Sequence, residues 1–139
     1  MNWIKQTLDT QINTTNALAP RSDLIYKLLD QEQWLDFSQQ TSWQGNALDR
    51  KDNFIHLSQD FQIMHVLTKF YPELQQGYLV AFSLDKLKDI IEWDTKEDGA
   101  RFPHAYGVLK VADASQIWQL DTQQQKLTAI ANPAIVDSE

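Results

Sequence analysis

The sequence predicts an α+β fold: small mixed sheets with short helices, in a single domain over residues 24–120, with an N-terminal extension (1–23) and a C-terminal tail (121–139). Three observations predict it. The chain has 139 residues and an apolar fraction of 42%, which suits one hydrophobic core and leaves little room for a second domain. Its apolar residues fall in short runs bounded by polar and turn residues, the pattern of strands. Amphipathic stripes opened by Asp or Ser separate the early runs and not the last ones, giving the order β-α-β-α-β-α-β-β-β. No internal repeat or linker divides the domain.

In the extension, Trp3, Ile4, Leu8 and Ile12 recur at roughly helical spacing, and Asn13-Thr14-Thr15-Asn16 and Pro20 then break the pattern. The segment is expected to dock on the domain or to stay mobile. Leu24–Leu29 reads as a buried strand ending at Asp30. Asp30 with Gln33 forms a capping-box pattern opening a helix, whose apolar stripe is Trp34, Leu35 and Phe37. From about Gln40 to Asn53 the chain is polar and reads as a long loop, a place where function concentrates.

Phe54–Leu57 is the next expected strand. Ser58 or Asp60 then caps a helix to about Tyr71, with Ile63, Val66, Leu67 and Phe70 on one face and His65 turned to solvent. Pro72 and Gly77 mark a turn. Tyr78–Leu84 is apolar on both faces and so is expected in the middle of a sheet. Asp85 caps a short helix (86–90), and residues 91–93 return as a strand. After a charged turn containing Gly99 come the Phe102–Gly107 loop, a short strand at 108–111 and a further strand at 117–120. Residues 127–136 suit either an edge strand or a loose end.

The composition excludes several classes. With no cysteine, disulfide frameworks, zinc ribbons, iron–sulfur clusters and thiol catalysis are out. Twelve Lys and Arg against 19 Asp and Glu give a formal charge of −7, against the clustered cations that nucleic acid or anionic membrane requires. No apolar run approaches the roughly 20 residues of a bilayer span, and the first 20 residues lack a signal peptide's apolar stretch. A cytoplasmic location is expected, with neither nucleic acid nor membrane as partner and a protein partner left open. The four scattered glycines make no dinucleotide fingerprint or P-loop, and no GxSxG elbow is present. The three histidines lie in different elements, without metal-binding spacing. No metal site is expected.

Two constellations remain. In Asp52-Asn53-Phe54-Ile55-His56-Leu57-Ser58, strand alternation puts Ile55 and Leu57 on the core face and Phe54, His56 and Ser58 on the other. An imidazole there can donate, accept or exchange a proton near neutral pH. Ser58 is equally suited to capping the following helix. In Arg101-Phe102-Pro103-His104-Ala105-Tyr106-Gly107, Pro103 holds Phe102 extended and Gly107 frees the exit. A stiff loop carrying Phe102, His104 and Tyr106 offers a lip for a small planar ligand, and a packed turn with a satisfied histidine is the other reading.

On Ile25-Tyr26-Lys27, Trp34, Gly45 to Asp49, Phe54-Ile55-His56-Leu57-Ser58, Trp93 and Phe102-Pro103-His104-Ala105-Tyr106-Gly107, the chain resembles the bacterial family called domain of unknown function 952, from about Leu24 to Leu120. It departs from that pattern at Asn46, where Ser is usual, at Asn53, where Gly is usual, and at Asp94, where Glu is usual. The resemblance implies a fold like the ADP-ribosyltransferases, and the His-Leu-Ser strand is similar to one in RNA 2′-phosphotransferases. In such folds NAD lies in a cleft between two small sheets. Carried onto this chain, the likeness implies a pocket shared by His56, orienting a ligand, and His104, carrying the proton, with Tyr26, Lys27, Ser58, Trp93, Asp94, Phe102 and Tyr106 around them. The ligand implied is a small nucleotide-like molecule, with NAD a candidate as substrate or ligand and no other cofactor evident. No Glu stands at a clear counterpart of the acid many such transferases use. An acidic chain with three arginines does not suit an RNA 2′-phosphate, which calls for a cationic cradle. The alternatives are a non-catalytic binding module and a protein-interaction domain in which both motifs are structural.

Overall fold

Leu24–Leu29 (β1) is buried at every position because both faces of its sheet are covered. The computed structural model describes residues 1–14 and 23–134. Within it β1 pairs antiparallel with Gln76–Ser83 (β3), which pairs with Gln116–Asp121 (β6), which pairs with Lys126–Ile130 (β7). The sheet order is therefore β1-β3-β6-β7. Strand alternation sorts its side chains into two cores. Ile25, Leu29, Val80, Phe82 and Ile117 point to one side. Leu24, Tyr26, Leu28, Leu79, Ala81, Trp118 and Leu120 point to the other.

A second sheet has three strands, Ile55–His56 (β2), Arg101–Ala105 (β5) and Ile91–Thr95 (β4), in the order β2-β5-β4. It lies over the first core, where Ile55, Leu57 and Ala105 meet Trp34 and Phe37 of the helix Gln31–Gln39 (α2) and the loop residue Trp43. The second core is closed by the helices Trp3–Thr14 (α1) and Ile63–Phe70 (α4), through Trp3, Ile4, Leu8, Ile63 and Leu67. Thus α1 docks on the large sheet, and Ile4 and Leu8 are fully buried. The break expected from Asn13 does not begin there, since α1 runs on to Thr14; the rest of it, at Thr15, Asn16 and Pro20, lies outside the described residues, as do residues 135–139 of the tail.

Every ladder is antiparallel, where mixed sheets were expected. Hairpins join β4 to β5 and β6 to β7, and among the described residues no helical crossover brings two strands into parallel register. Other elements also differ from expectation. The polar stretch 40–53 contains a helix, Ala47–Asp52 (α3), opened by a reciprocal cap in which Asn46 Oδ1 accepts from Asp49 N and Asp49 Oδ2 accepts from Asn46 N. Ser58 does not cap α4, because its backbone pairs with Tyr26 in both directions at 2.8 Å. The short helix Leu84–Leu87 (α5) is capped by Ser83 and not by Asp85. Residues 108–111 form one bridge, Leu109 to Trp43, followed by a 3-10 turn, and β7 realises the edge-strand alternative for the tail.

The largest difference is at Phe102–Gly107, expected as a loop and found mostly within the central strand β5. Pro103 is tolerated there because its backbone faces β2 at that ladder's last rung. Its carbonyl accepts from Leu57 N at 3.1 Å, the reciprocal bond has no donor, and the β2 ladder ends at His56. The chain then turns to meet β1 through Ser58, which links the two sheets.

Candidate functional site

The β2–β5 register sets His56 directly opposite His104, and the two imidazoles stand 5.3 Å apart, edge to face. Phe54 organises both. Its ring stacks on His104 at 4.1 Å and contacts His56 at 4.7 Å and Tyr106 at 5.3 Å. The histidines line a cleft of about 680 Å³ between the two sheets, α3 and α4. Lys27, Ser58 and Phe102 line it as well, with Leu48, Val66 and Phe70 at its apolar mouth. This accounts for the split stripe of α4: Ile63 and Leu67 enter the core, while Phe70 is 48% exposed beside the cleft. His65 is exposed, as expected, and stands on the rim.

Each histidine is held from behind by a carboxylate. Asp49, whose side chain is fully buried, accepts His56 Nδ1 at 2.7 Å and His56 N at 3.0 Å on one oxygen. Its other oxygen takes Lys27 Nζ at 2.9 Å and Asn46 N at 3.0 Å. Lys27 donates a further bond to the His56 carbonyl at 2.8 Å. Burial alone would push the Asp49 carboxyl up, but the His56 hydrogen bond, the Lys27 charge and the His56 amide outweigh it and hold it at about 2. Burial pushes the Lys27 ammonium down and Asp49 pushes it back. On its far side His56 Nε2 lies 3.0 Å from Asp52 Oδ2, so both ring nitrogens face carboxylates.

His104 is held differently. Its Nδ1 bonds Asp94 Oδ2, which also accepts the Tyr106 hydroxyl at 2.9 Å. Its Nε2 takes no hydrogen bond among the described residues. Burial pushes the His104 imidazolium below its ordinary value despite Asp94, and the hydrogen bonds from His104 and Tyr106 hold the Asp94 carboxyl low. A neutral ring with Nδ1–H on a carboxylate presents the Nε2 lone pair, the form that accepts a proton.

Of the residues singled out in the sequence, Lys27, His56, Ser58, Phe102 and His104 come together on the cleft. Asp94 and Tyr106 stand behind His104. Tyr26 and Trp93 do not line the cleft, and strand alternation is the reason. Tyr26 lies on the opposite face of β1 from Lys27, fully buried and 6.3 Å from Trp118. Trp93 lies on the opposite face of β4 from Asp94, with the Arg101 guanidinium 5.5 Å from its ring centroid. Asp49, Asp52 and Phe54 are not among the site residues that the sequence predicts. Phe54 shares the His56 face by alternation, and Asp49 sits at the third position of a capping box.

The acid dependence of stability follows from Asp49. Its carboxyl is depressed from 3.8 to about 2 in the folded chain, so its contribution is complete above its ordinary value and is lost as the pH falls through the folded one. The loss is about 2 kcal/mol. Urea midpoints taken down that window should fall faster for the natural chain than for Asp49→Asn, and parallel slopes would refute the assignment.

Two antiparallel sheets joined through one bridge, with a histidine pair between them, define a small α+β domain with a ligand-sized cleft. The model of the family described as protein of unknown function (DUF952) matches residues 28–117, and the chain belongs to that family. Among solved structures it is similar to protein CC0527 from Caulobacter crescentus. The crystal structure is 33% identical, covers 71% of this chain and 89% of that one, and superposes with a TM-score of 0.65. The solution NMR structure of the same protein is 32% identical over 73% and 89%, with a TM-score of 0.61. No curated protein matches the chain significantly. Among the described residues no group of three or more His, Cys, Asp or Glu could hold a metal ion, and no helix is long and apolar enough to cross a membrane.

Proposed function

We propose that the cleft is a small-ligand site with acid–base chemistry centred on His104, and that the fold is a relative of the ADP-ribosyltransferases with a nucleotide-like ligand, NAD among the candidates. The observation that carries the reading is His104 itself. Its Nδ1 is fixed by Asp94 while Nε2 has no partner among the described residues, on the wall of a cleft of about 680 Å³. An imidazole so oriented accepts a proton at Nε2, and Asp94 steadies the imidazolium that results. His56, engaged at both ring nitrogens, does not carry the proton and orients the ligand through Asp52, whose carboxylate it holds at 3.0 Å.

One observation favours a second reading, a binding module without turnover. No glutamate lines the cleft among the described residues, so the acid familiar from such transferases has no counterpart there. A thermal-shift screen with NAD⁺ and related nucleotides and nucleosides, followed by a nicotinamide-release assay, separates the two. The acid–base reading expects stabilisation, release by the natural chain, and a loss of about 10²- to 10⁴-fold in rate for His104→Ala with the thermal shift retained. Stabilisation without release supports the binding module. No stabilisation by any compound sinks both.

A further inference from the structure

The charges of the cleft identify the class of ligand, taking the cleft as the ligand site proposed above. Among the described residues two lysines and three aspartates line it: Lys27 and Lys96 against Asp30, Asp49 and Asp52. Lys27 is not available to an anion. Its side chain is 7% exposed, its Nζ is 2.9 Å from Asp49, and a second N–H is bonded to the His56 carbonyl. Lys96 is exposed, with its Nζ 4.6 Å from the Phe102 ring centroid. No arginine lines the cleft among the described residues. A phosphate entering such a cleft would leave water for the one exposed ammonium of Lys96 and would face the Asp52 carboxylate, whose side chain is 35% exposed, while His56 has both ring nitrogens turned to Asp49 and Asp52. Phosphate sites are built the other way, with several charge-assisted donors converging.

What the cleft does offer is acceptors and rings. Asp52 and the Nε2 of His104 accept, while Phe54 and Phe102 supply aromatic surface and Leu48 and Phe70 an apolar rim. Its complement is a planar body bearing N–H donors, neutral or positively charged.

We infer that within the nucleotide-like class proposed above the cleft prefers the phosphate-free member, a neutral or cationic nitrogen heterocycle or its nucleoside, and that a 5′-phosphate on the same nucleoside weakens binding. The test is isothermal titration calorimetry at low ionic strength on the full chain with two matched series. One is nicotinamide riboside, nicotinamide mononucleotide and NAD⁺, and the other is adenosine, AMP and ADP. In at least one series the nucleoside should bind, and its monophosphate should bind about tenfold more weakly. Replacing Asp52→Asn should narrow that gap. Phosphorylated compounds of either series that bind as tightly as their nucleoside overturn the inference and leave the ligand-site reading standing. Binding by none of the six compounds overturns both. A gap unchanged in Asp52→Asn overturns the assignment of the discrimination to that carboxylate.

Discussion

Replacing Asp49 by Ala should cost about 3–5 kcal/mol of folding stability, the largest loss expected from any single change near the cleft. The carboxylate has no exposed surface and collects four donors, from Lys27, His56 twice and Asn46. Removing it leaves the Lys27 ammonium, itself 7% exposed, without a counter-charge, and leaves the two backbone amides bare. Lys27→Met should cost much less, about 1–2 kcal/mol, because Asp49 keeps three of its donors and the burial of an ammonium is relieved. Urea denaturation of the two variants measures the asymmetry. Equal losses would show that the pair and not the carboxylate is the unit that holds α3, β1 and β2 together.

Much of this arrangement is legible in the amino-acid sequence, and the rest is hidden for definite physical reasons. The burial of β1 and the central place of β3 follow from apolar residues on both faces, and the Asp30–Gln33 cap from its spacing alone. The placing of Ile55 and Leu57 in the core, with His56 opposite, needs nothing beyond strand alternation. Alternation also dictates that Tyr26 and Lys27, or Trp93 and Asp94, cannot both face one cleft. The meeting of His56 with His104 is less accessible. It depends on pairing register between segments 48 residues apart in number (104 − 56), which neither motif encodes. Asp49 is obscured by its company, since a helix of six residues leaves no amphipathic stripe to detect. The strand Arg101–Ala105 is obscured by Pro103, which looks like a breaker until the missing N–H is seen to fall where a ladder ends.

The departures from the family pattern make sense in the same terms. Asn46 does the capping work of the usual Ser, with its Oδ1 accepting from Asp49 N at 2.9 Å. Asn53 occupies a left-handed backbone position at φ 66°, where Gly is the residue with least strain and Asn the next best tolerated. Asp94 reaches His104 from the neighbouring strand. With these three residues the carboxylate–histidine contacts are in place.

Gly45→Ala should lose about 3 kcal/mol and release His56 from its support. Two costs combine at this position. The backbone sits at φ +97°, and an added Cβ would lie 2.5 Å from the Asp49 Cβ and 2.8 Å from its Oδ2. The Cβ of Asp49 is fixed to α3 and cannot swing aside as a flexible side-chain tip would, so the helix start must move and carry the carboxylate away from His56 Nδ1. Gly99→Ala supplies the control. Its φ is +89°, yet nothing lies within 4 Å of an added Cβ, so the cost is backbone strain alone, about 1–2 kcal/mol. The distinguishing readout is the His56 ring. Nitrogen chemical shifts should report a changed Nδ1 hydrogen bond in Gly45→Ala and the natural one in Gly99→Ala. Equal destabilisation by the two variants, with His56 unaltered in both, would mean that Gly45 serves the turn only and that the site does not depend on its missing side chain.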